Sequence, residues 1–196
     1  MRIQAGRLRG RTIRMPPAAR GHQQFTTGII KEAVFQVLAG QLGDLSRFAF
    51  CDLCAGSGQM AFEAASLGFR PVFAFDVDQA RIRHLRAESL RLGLKIEVGR
   101  RDFRRSGRIL SENAPVVAYF DPPYSFWRDG AAGRELDTLL LATLVPHGDL
   151  QARDLVLVVQ AREAYKPPDG LGLAVQQRRY RGQIVSFLGP DIGEQP

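Results

Sequence analysis

The sequence predicts an α/β protein with a doubly wound, mainly parallel β-sheet. Short runs of four to six apolar residues alternate along the chain with amphipathic stretches of helical period. These runs lack the polar alternation of a sheet with one wet face, so we expect helices to cover the strands on both faces. At 196 residues and 45% apolar content, the chain is long enough for one such domain.

A basic N-terminal segment precedes this alternating pattern. Residues 2–14 alternate apolar and polar side chains around two glycines, which predicts a short hairpin. Residues 16–28 contain two prolines and several polar residues and predict a loop. We therefore divide the chain into a hairpin and loop extension at residues 1–28 and a larger domain at residues 29–196.

Helices and strands alternate from residue 29 onward. The first amphipathic helix is expected at Ile29–Leu42, with its positive and polar positions facing outward. The following segments are predicted next, in chain order: strand Phe48–Leu53, helix Gln59–Leu67, strand Val72–Phe75, helix Gln79–Leu92, strand Lys95–Val98, strand Val116–Phe120, helix Gly133–Leu144 and strand Leu155–Val159. Two runs at 173–180 and 183–188, separated by an Arg-Gly pair, predict a C-terminal antiparallel hairpin.

The net charge of +7 is concentrated at the N-terminus. Six arginines and no acidic residue lie within the first 20 residues. Guanidinium groups pair bidentately with phosphate, so such a block is typical of a phosphate-binding arm, although a merely solvated basic tail has the same composition. The arginines assigned to this arm as nucleic-acid contacts are Arg2, Arg7, Arg9, Arg11 and Arg14.

Composition excludes several classes of protein. No apolar run approaches the roughly 18 residues of a membrane span, and the start lacks the apolar stretch of a signal peptide, so we expect a soluble, cytoplasmic protein. Cys51 and Cys54 have the C-x-x-C spacing of redox and zinc sites. The three histidines are scattered, and the cysteine pair straddles a strand end rather than opening a helix. We therefore expect neither a metal site nor a redox role.

The first two strand ends carry candidate cofactor residues, since ligands bind at the carboxyl ends of strands in open parallel sheets. A carboxylate at Asp52 suits a cationic ligand better than a phosphate. Asp76, after the second strand, is placed to accept hydrogen bonds from both hydroxyls of a ribose, whereas Asp78 is expected to cap the next helix. The first strand leads into a turn through which a cofactor can approach backbone N–H groups: Asp52-Leu53-Cys54-Ala55-Gly56-Ser57-Gly58.

The next two strand ends add a possible adenine contact and the most specific motif. Asp102 could accept the adenine amino group, with Phe103 near the ring; the alternative is an exposed carboxylate in a charged turn. The fourth strand ends at Asp121-Pro122-Pro123-Tyr124. Because prolines have no N–H donor, the Asp121 carboxylate and the Pro122 carbonyl form an acceptor-only pocket that complements an exocyclic amine. Tyr124 can stack on a flat base.

These residues resemble the class I methyltransferases that carry a D-P-P-[YF] motif and, within them, the bacterial small-subunit ribosomal RNA guanine-N2 methyltransferase family. The likeness covers most of the chain and is carried by Arg2-Ile3 to Gly10-Arg11, Thr26-Thr27 running into Lys31-Glu32 and Phe35, the D-x-x-A-G-S-G turn, Glu63-Ala64, Asp76, Asp121-Pro122-Pro123-Tyr124 and Gly182-Gln183. The chain departs from the family pattern at Gln24-Phe25, Gly28-Ile29 and Val159-Gln160-Ala161.

The resemblance implies a seven-stranded Rossmann-like methyltransferase sheet and S-adenosylmethionine as the cofactor. The cofactor would contact Asp52, Ala55, Gly56, Ser57, Gly58, Asp76, Asp102 and Phe103. The residues acting on the N2 amine of a guanine would be Asp121, Pro122 and Tyr124. Thr26 and Thr27 would join the arginines on the RNA, which would be 16S RNA or a small-subunit assembly intermediate, bound by a monomer without a metal.

Two other functions remain open at this point. A DNA adenine-N6 methyltransferase would use the same acceptor pocket, although the chain is small for a separate DNA-recognition domain. A non-catalytic RNA-binding or assembly protein could keep the fold, which the altered segment from Gln24 to Ile29 makes conceivable. Methylation assays on RNA and duplex DNA would separate these possibilities.

Overall fold

The computed structural model describes residues 1–16, 26–128, 130–144, 151, 154–180 and 182–190. Its contacts divide the chain into two compact units, Met1–Arg101 and Asp102–Pro196. The first unit contains α1 (Gly28–Leu42), a short 3-10 turn (Leu45–Arg47), β1 (Ala49–Asp52), α2 (Gln59–Leu67), β2 (Val72–Asp76), α3 (Gln79–Leu92) and β3 (Glu97–Arg100). The second contains a 3-10 turn (Phe103–Arg105), α4 (Gly107–Glu112), β4 (Val116–Phe120), α5 (Tyr124–Trp127), α6 (Ala131–Leu144), β5 (Leu155–Ala161), β6 (Ala174–Tyr180) and β7 (Gln183–Gly189).

The strands of the first unit are parallel. They run in the order β3-β2-β1, with Cys51 opposite Phe73 and Asp76 opposite Arg100. Every residue of β1 and β2 is buried, as expected for strands covered on both faces, whereas β3 is partly exposed. The register brings the ends of β1 and β2 to the same edge of this sheet segment.

The second unit combines parallel and antiparallel pairing. β4 and β5 are parallel, β5 pairs antiparallel with β7, and β6 pairs antiparallel with β7. The C-terminal hairpin predicted from the sequence is therefore confirmed. β4 and β5 are buried throughout, while β6 is largely exposed. Within the residues that the structure describes, no helix is both long and apolar enough to cross a membrane.

The sequence located most of these elements, and its departures from the structure include β3, α4 and α5. β3 begins at Glu97, two residues later than predicted, because its register is set by pairing with β2 rather than by its weak apolar pattern. α4 and α5, of six and four residues, were not predicted. Elements this short contain too few residues to establish a helical period.

The N-terminal hairpin is formed as predicted. The Ile3 N–H donates to the Arg11 carbonyl at 2.9 Å, and the Ile13 N–H donates to the Met1 carbonyl at 2.7 Å. Both isoleucines are 1% exposed. Gly6 has a positive φ of 74°, and a Cβ there would lie 2.0 Å from the Ser66 carbonyl oxygen, so no larger residue fits this turn against α2.

The outward orientation expected for the charged residues of α1 is wrong for Lys31. Its side chain is fully buried, and Nζ donates to the Glu63 carboxylate of α2 at 2.5 Å and to the Arg2 carbonyl at 2.8 Å. The same carboxylate accepts the N–H groups of Gln4 and Ala5, at 2.9 and 2.6 Å. A buried charge is tolerated only with such partners, and here they tie the hairpin to α1 and α2.

Hairpin residues 1–16 thus pack within the first unit, on α1, α2 and α3. Within the predicted loop 16–28, residues 17–25 lie outside the described residues, and these include Gln24 and Phe25. The structure begins α1 at Gly28. The functional division at residue 28, between an RNA-binding extension and a catalytic domain, stays a prediction.

Candidate functional site

The turn between β1 and α2 is built by two glycines with different surroundings. Gly58 has φ of 79°, which strains any other residue, and a Cβ there would lie 2.3 Å from a Leu85 methyl carbon and displace that side chain of α3. At Gly56, with φ of 52°, an added Cβ would meet only the Cys54 carbonyl oxygen, at 3.9 Å. The backbone at Gly56 is therefore open to an approaching ligand, as a cofactor-binding turn requires.

Asp76 joins this turn to the end of β2. Its Oδ2 accepts the Gly56 N–H at 2.9 Å and the Arg81 guanidinium at 3.2 Å, and its Oδ1 accepts the Asp78 N–H at 2.9 Å. The side chain is buried, with only 6% of the residue exposed. A carboxylate offers about four acceptor positions, so room remains for a hydroxyl donor.

The other residues predicted to contact the cofactor in the first unit are almost inaccessible as side chains. Asp52 and Ser57 are both 2% exposed, and Ala55 is 6% exposed. The Ala55 N–H donates to the Phe75 carbonyl at 2.7 Å, which fixes the turn on β2. Ala55 and Ser57 could therefore meet a cofactor mainly through their main chain.

Asp78 caps α3, as predicted from the sequence. Its carboxylate accepts the N–H groups of Ala80 at 2.6 Å and of Arg81 at 3.2 Å. These backbone hydrogen bonds hold the pKa of the Asp78 carboxyl below its usual value. Asp78 therefore has a structural role, and Asp76 is left as the ribose candidate.

Asp102 and Phe103 have partners within the second unit. The Arg104 side chain donates to both oxygens of Asp102, at 2.9 and 2.5 Å, and these bonds lower the pKa of the Asp102 carboxyl. The Phe103 ring is buried, with its centroid 4.7 Å from Phe120 and 6.0 Å from Phe126. The Phe103 ring thus packs against α5 through Phe126. The adenine contacts predicted for Asp102 and Phe103 stay a prediction.

The Asp-Pro-Pro-Tyr motif follows β4 and leads directly into α5. Asp121 is half-buried and has a polar partner, whereas no described residue donates a hydrogen bond to the Pro122 carbonyl. The Phe126 N–H donates to the Pro123 carbonyl at 2.8 Å, which fixes the turn into the helix. The acceptor pocket for an exocyclic amine stays a prediction.

Tyr124 ends a chain of hydrogen bonds that the sequence did not predict. The Gln183 amide on β7 donates to the Tyr124 hydroxyl oxygen, the Gln160 amide on β5 donates to Gln183, and the Tyr119 hydroxyl on β4 donates to Gln160, each at 2.5 Å. Tyr119 and Gln160 are buried, at 2% and 3% exposure. The signals for this network were the family-like Gly182-Gln183 pair and the atypical residue at position 160.

Arg162 lies over the ring of Tyr124. Its guanidinium carbon is 4.4 Å from the ring centroid, close enough for a cation–π interaction. Arg162 follows β5 by one residue and is itself exposed. The hydroxyl and one face of the Tyr124 ring are therefore both held by the protein, which fixes the ring plane.

The basic arm is exposed but not loosely attached. The side chains of Arg2, Arg7, Arg9, Arg11 and Arg14 are all exposed, and none forms an ion pair with a described residue. Their backbone is bound to helices: the Arg7 N–H donates to the Ser66 carbonyl at 2.8 Å, and the Arg14 N–H donates to Glu88 at 2.7 Å.

The two threonines predicted to contact RNA have local structural partners. Thr26 is 5% exposed, and its carbonyl accepts the Gln59 side-chain amide at 2.8 Å. Thr27 is exposed and caps α1, accepting the Ile30 N–H at 3.4 Å. Their contact with RNA stays a prediction, and of the two only Thr27 has a side chain open to solvent.

Neither cysteine forms a disulfide. Cys51 is fully buried in β1, and this burial raises the pKa of its thiol far above its usual value, so it stays protonated at neutral pH. Across the described ranges, no group of three or more histidine, cysteine, aspartate or glutamate residues could hold a metal ion.

The family of the chain follows from a match over nearly its whole length. A family model described as conserved hypothetical protein 95 matches residues 1–188. The chain belongs to that family. The putative rRNA methyltransferase YlbH of Bacillus subtilis (strain 168) is 26% identical over 183 residues, which cover 91% of this chain and 92% of YlbH. The Type II methyltransferase M.VspI of Vibrio sp. (strain 343) is 28% identical over 85 residues, 41% of this chain and 21% of that protein.

Solved structures confirm the fold class predicted from the sequence. The putative methyltransferase yhhF from Escherichia coli has a TM-score of 0.74 at 18% identity, over 96% of this chain and 97% of that one. An RNA methyltransferase from Salinibacter ruber, in complex with S-adenosyl-L-homocysteine, has a TM-score of 0.56 at 19% identity, over 88% of this chain and 97% of that one. The chain has the α/β methyltransferase fold.

Proposed function

We propose that this member of the family is an S-adenosylmethionine-dependent methyltransferase that acts on the exocyclic amine of a base in ribosomal RNA. The observation that carries the proposal is the motif after β4, where Asp121 and Pro122, whose carbonyl accepts no hydrogen bond from a described residue, directly precede Tyr124 at the start of α5. The relatives described as rRNA and RNA methyltransferases support the reaction class and the RNA substrate.

The residues of the first unit fit S-adenosylmethionine better than a phosphate-bearing cofactor. Asp52 and Asp76 bring carboxylates to the ends of two neighbouring strands, and the open backbone at Gly56 lies between them in sequence. Carboxylates favour the ammonium, sulfonium and ribose hydroxyl groups of this cofactor and disfavour a pyrophosphate. Asp76 would hold the ribose, and the main chain of the turn at Gly56 would contact the methionine end, with the buried Asp52 carboxylate contributing its negative charge nearby.

When bound, S-adenosylmethionine supplies a methyl group on a positively charged sulfur. The protein must increase the nucleophilicity of the target amine, because the lone pair of an aryl amine is delocalised into the base. Asp121 and the Pro122 carbonyl would accept hydrogen bonds from the two N–H groups of the amine and so favour a pyramidal nitrogen with a directed lone pair. Tyr124 would stack on the base and fix its plane, which adds the contribution of orientation.

The finer proposal is that the target is the N2 amine of an unpaired guanine in 16S RNA, either free or in a small-subunit assembly intermediate. Such a base enters a pocket at a low cost in free energy, because it is already unstacked and unpaired. In this proposal residues 29–196 form the methyltransferase domain and residues 1–28 the RNA-binding extension, and the protein acts as a cytoplasmic monomer. The exposed, unpaired arginines of the hairpin support RNA binding.

The test is a methyl-transfer assay with radiolabelled S-adenosylmethionine on three substrates: protein-free 16S RNA, small subunits from a strain lacking the gene, and duplex DNA. Mass mapping of the labelled RNA identifies the base. We expect label in one guanine of 16S RNA. If duplex DNA were labelled on adenine, DNA would replace 16S RNA as the proposed substrate. If the protein bound the cofactor but labelled none of the three substrates, it would be a non-catalytic RNA-binding protein.

A further inference from the structure

The β6–β7 hairpin borders the hydrogen-bond network of Tyr124. Tyr180, the last residue of β6, lies directly opposite Gln183, the first residue of β7. The Gln183 amide is 2.5 Å from the Tyr124 hydroxyl. The end of this hairpin is therefore adjacent to the residue proposed to stack on the target base.

The strand register assigns the exposed residues of β6 to two faces. Residues directly opposite each other in an antiparallel pair project to the same face, and alternate residues of a strand do so as well. Tyr180 is opposite Gln183, and Arg178 is opposite Val185, so both share the face of the Gln183 side chain. Arg179 is opposite Ile184 and projects to the other face.

The face that holds Gln183 carries further groups of the same network. Gln160 on β5 is opposite Val185, and its side chain reaches Gln183. Arg162, two residues beyond Gln160, covers the Tyr124 ring. Tyr180 and Arg178 therefore share the face of Gln183, and Tyr124 is joined to Gln183 by its hydroxyl and to Arg162 by its ring.

The cations of this face are available to a ligand. Arg178 is exposed and forms no ion pair with any described residue, and Tyr180 is half-buried. Arg178 lies about 7 Å along the strand from Tyr180, two residues at about 3.4 Å each. An aromatic ring close to an exposed cation suits a single nucleic-acid strand, because a base stacks on the ring while a phosphate contacts the cation.

We propose that Arg178 and Tyr180 form a second RNA-binding surface, which holds the nucleotides next to the target base. Tyr180 stacks on a flanking base, and Arg178 contacts a backbone phosphate. The inference rests on the proposed function, because it takes Tyr124 as the platform of the target base. The alternative is that the arginines of β6 have no ligand and only keep this exposed edge strand from pairing with strands of other molecules.

The chain offers a matched control, since Arg178 and Arg179 are neighbouring exposed arginines on opposite faces. Binding of the full chain to a single-stranded oligouridylate of about 12 nucleotides is measured against salt for Arg178→Gln and Arg179→Gln. We expect Arg178→Gln to reduce the slope of log affinity against log salt by about 0.7 and Arg179→Gln to reduce it by less than half as much. Thermal unfolding confirms that both variants are folded.

Two substitutions of Tyr180 distinguish stacking of its ring on a base from packing of the side chain within the protein. Tyr180→Ala should weaken binding at least about fivefold, while Tyr180→Phe, which keeps a ring, should bind as the wild type does. Any of three results would overturn the proposed surface. They are equal effects of the two arginine variants, unchanged binding by Tyr180→Ala, and no binding by the wild type. Methyl transfer to 16S RNA is measured separately, so loss of the proposed activity would leave a positive binding result standing.

Discussion

At the scale of single residues, Asp76 has the most closely defined surroundings in the candidate site. Its carboxylate accepts hydrogen bonds from the Gly56 backbone and the Arg81 side chain, so it organises the turn, and in the proposed function it would also accept a hydroxyl group of the ribose. A neutral residue of the same shape would keep the packing and lose the charge-assisted bonds. Substitution by asparagine is therefore more informative than truncation.

We expect Asp76→Asn to weaken S-adenosylmethionine binding about ten- to a hundredfold, the range for hydrogen bonds to a charged group. Isothermal calorimetry measures this directly. The control is Asp78→Asn, which keeps a residue that caps helices equally well and should bind the cofactor as the wild type does. Equal affinities of wild type and Asp76→Asn would remove Asp76 from the cofactor site.

Asp121 is expected to act on the amine rather than on folding or cofactor binding. Asp121→Ala would remove a hydrogen-bond acceptor from the target amine, so the single-turnover methylation rate should fall at least about a hundredfold. Cofactor affinity should change less than about threefold, since the substitution acts on the amine in the transition state. Near-normal turnover by this variant would contradict the acceptor mechanism.

The sequence identified these carboxylates because each directly follows a predicted strand, and ligands of open parallel sheets bind at the carboxyl ends of strands. It could not identify Gln183 and Arg162 as partners of Tyr124, or Gln160 as the residue that extends the hydrogen-bond network to Tyr119. The bond between Gln183 and Tyr124 joins residues 59 positions apart, and its formation depends on how β7 pairs with β5. Local patterns carry no information on such a register.

At the scale of helices and strands, the buried pair of Lys31 and Glu63 connects three elements. The lysine of α1 meets the carboxylate of α2, and both also bind the backbone of the N-terminal hairpin. The amphipathic pattern of α1 could not reveal this, because a charged residue normally marks the exposed side of a helix. Only the partner, 32 residues away, explains the burial.

Lys31→Met should lower the free energy of unfolding by about 3 to 5 kcal/mol, because it leaves the Glu63 carboxylate buried without its cation. Urea unfolding measures the loss. The double variant Lys31→Met with Glu63→Gln removes the orphan charge and keeps an acceptor for the hairpin N–H groups. It should be more stable than Lys31→Met alone, and a double variant of equal or lower stability would argue against this account.

At the scale of the whole molecule, the distribution of charge separates the basic arm from an ordinary surface. Arg108 and Glu112 show the ordinary case, an exposed ion pair one helical turn apart. The five arginines of the arm have no such partners among the described residues. Unpaired like charges held close together repel one another, and a polyanion relieves that repulsion.

We expect the triple variant Arg7→Gln, Arg9→Gln, Arg11→Gln to reduce the slope of log RNA affinity against log salt by about 2, since each phosphate contact contributes about 0.7 to 0.9. Cofactor affinity should stay unchanged, and Arg108→Gln, already paired, should leave the slope unaltered. If the triple variant kept the wild-type slope, the arm would be a solvated surface. A parallel loss of cofactor binding would mean that the arginines stabilise the fold.

The attachment of the N-terminal hairpin to α2 and α3 determines how the arm would meet its ligand. A disordered basic tail gives up conformational entropy when it closes on a nucleic acid, and that loss subtracts from the affinity. Here Ser66 and Glu88 already fix the backbone of Arg7 and Arg14. The backbone positions of these arginines are thus set before any encounter, so binding would cost the ordering of exposed side chains but not the folding of the segment that carries them.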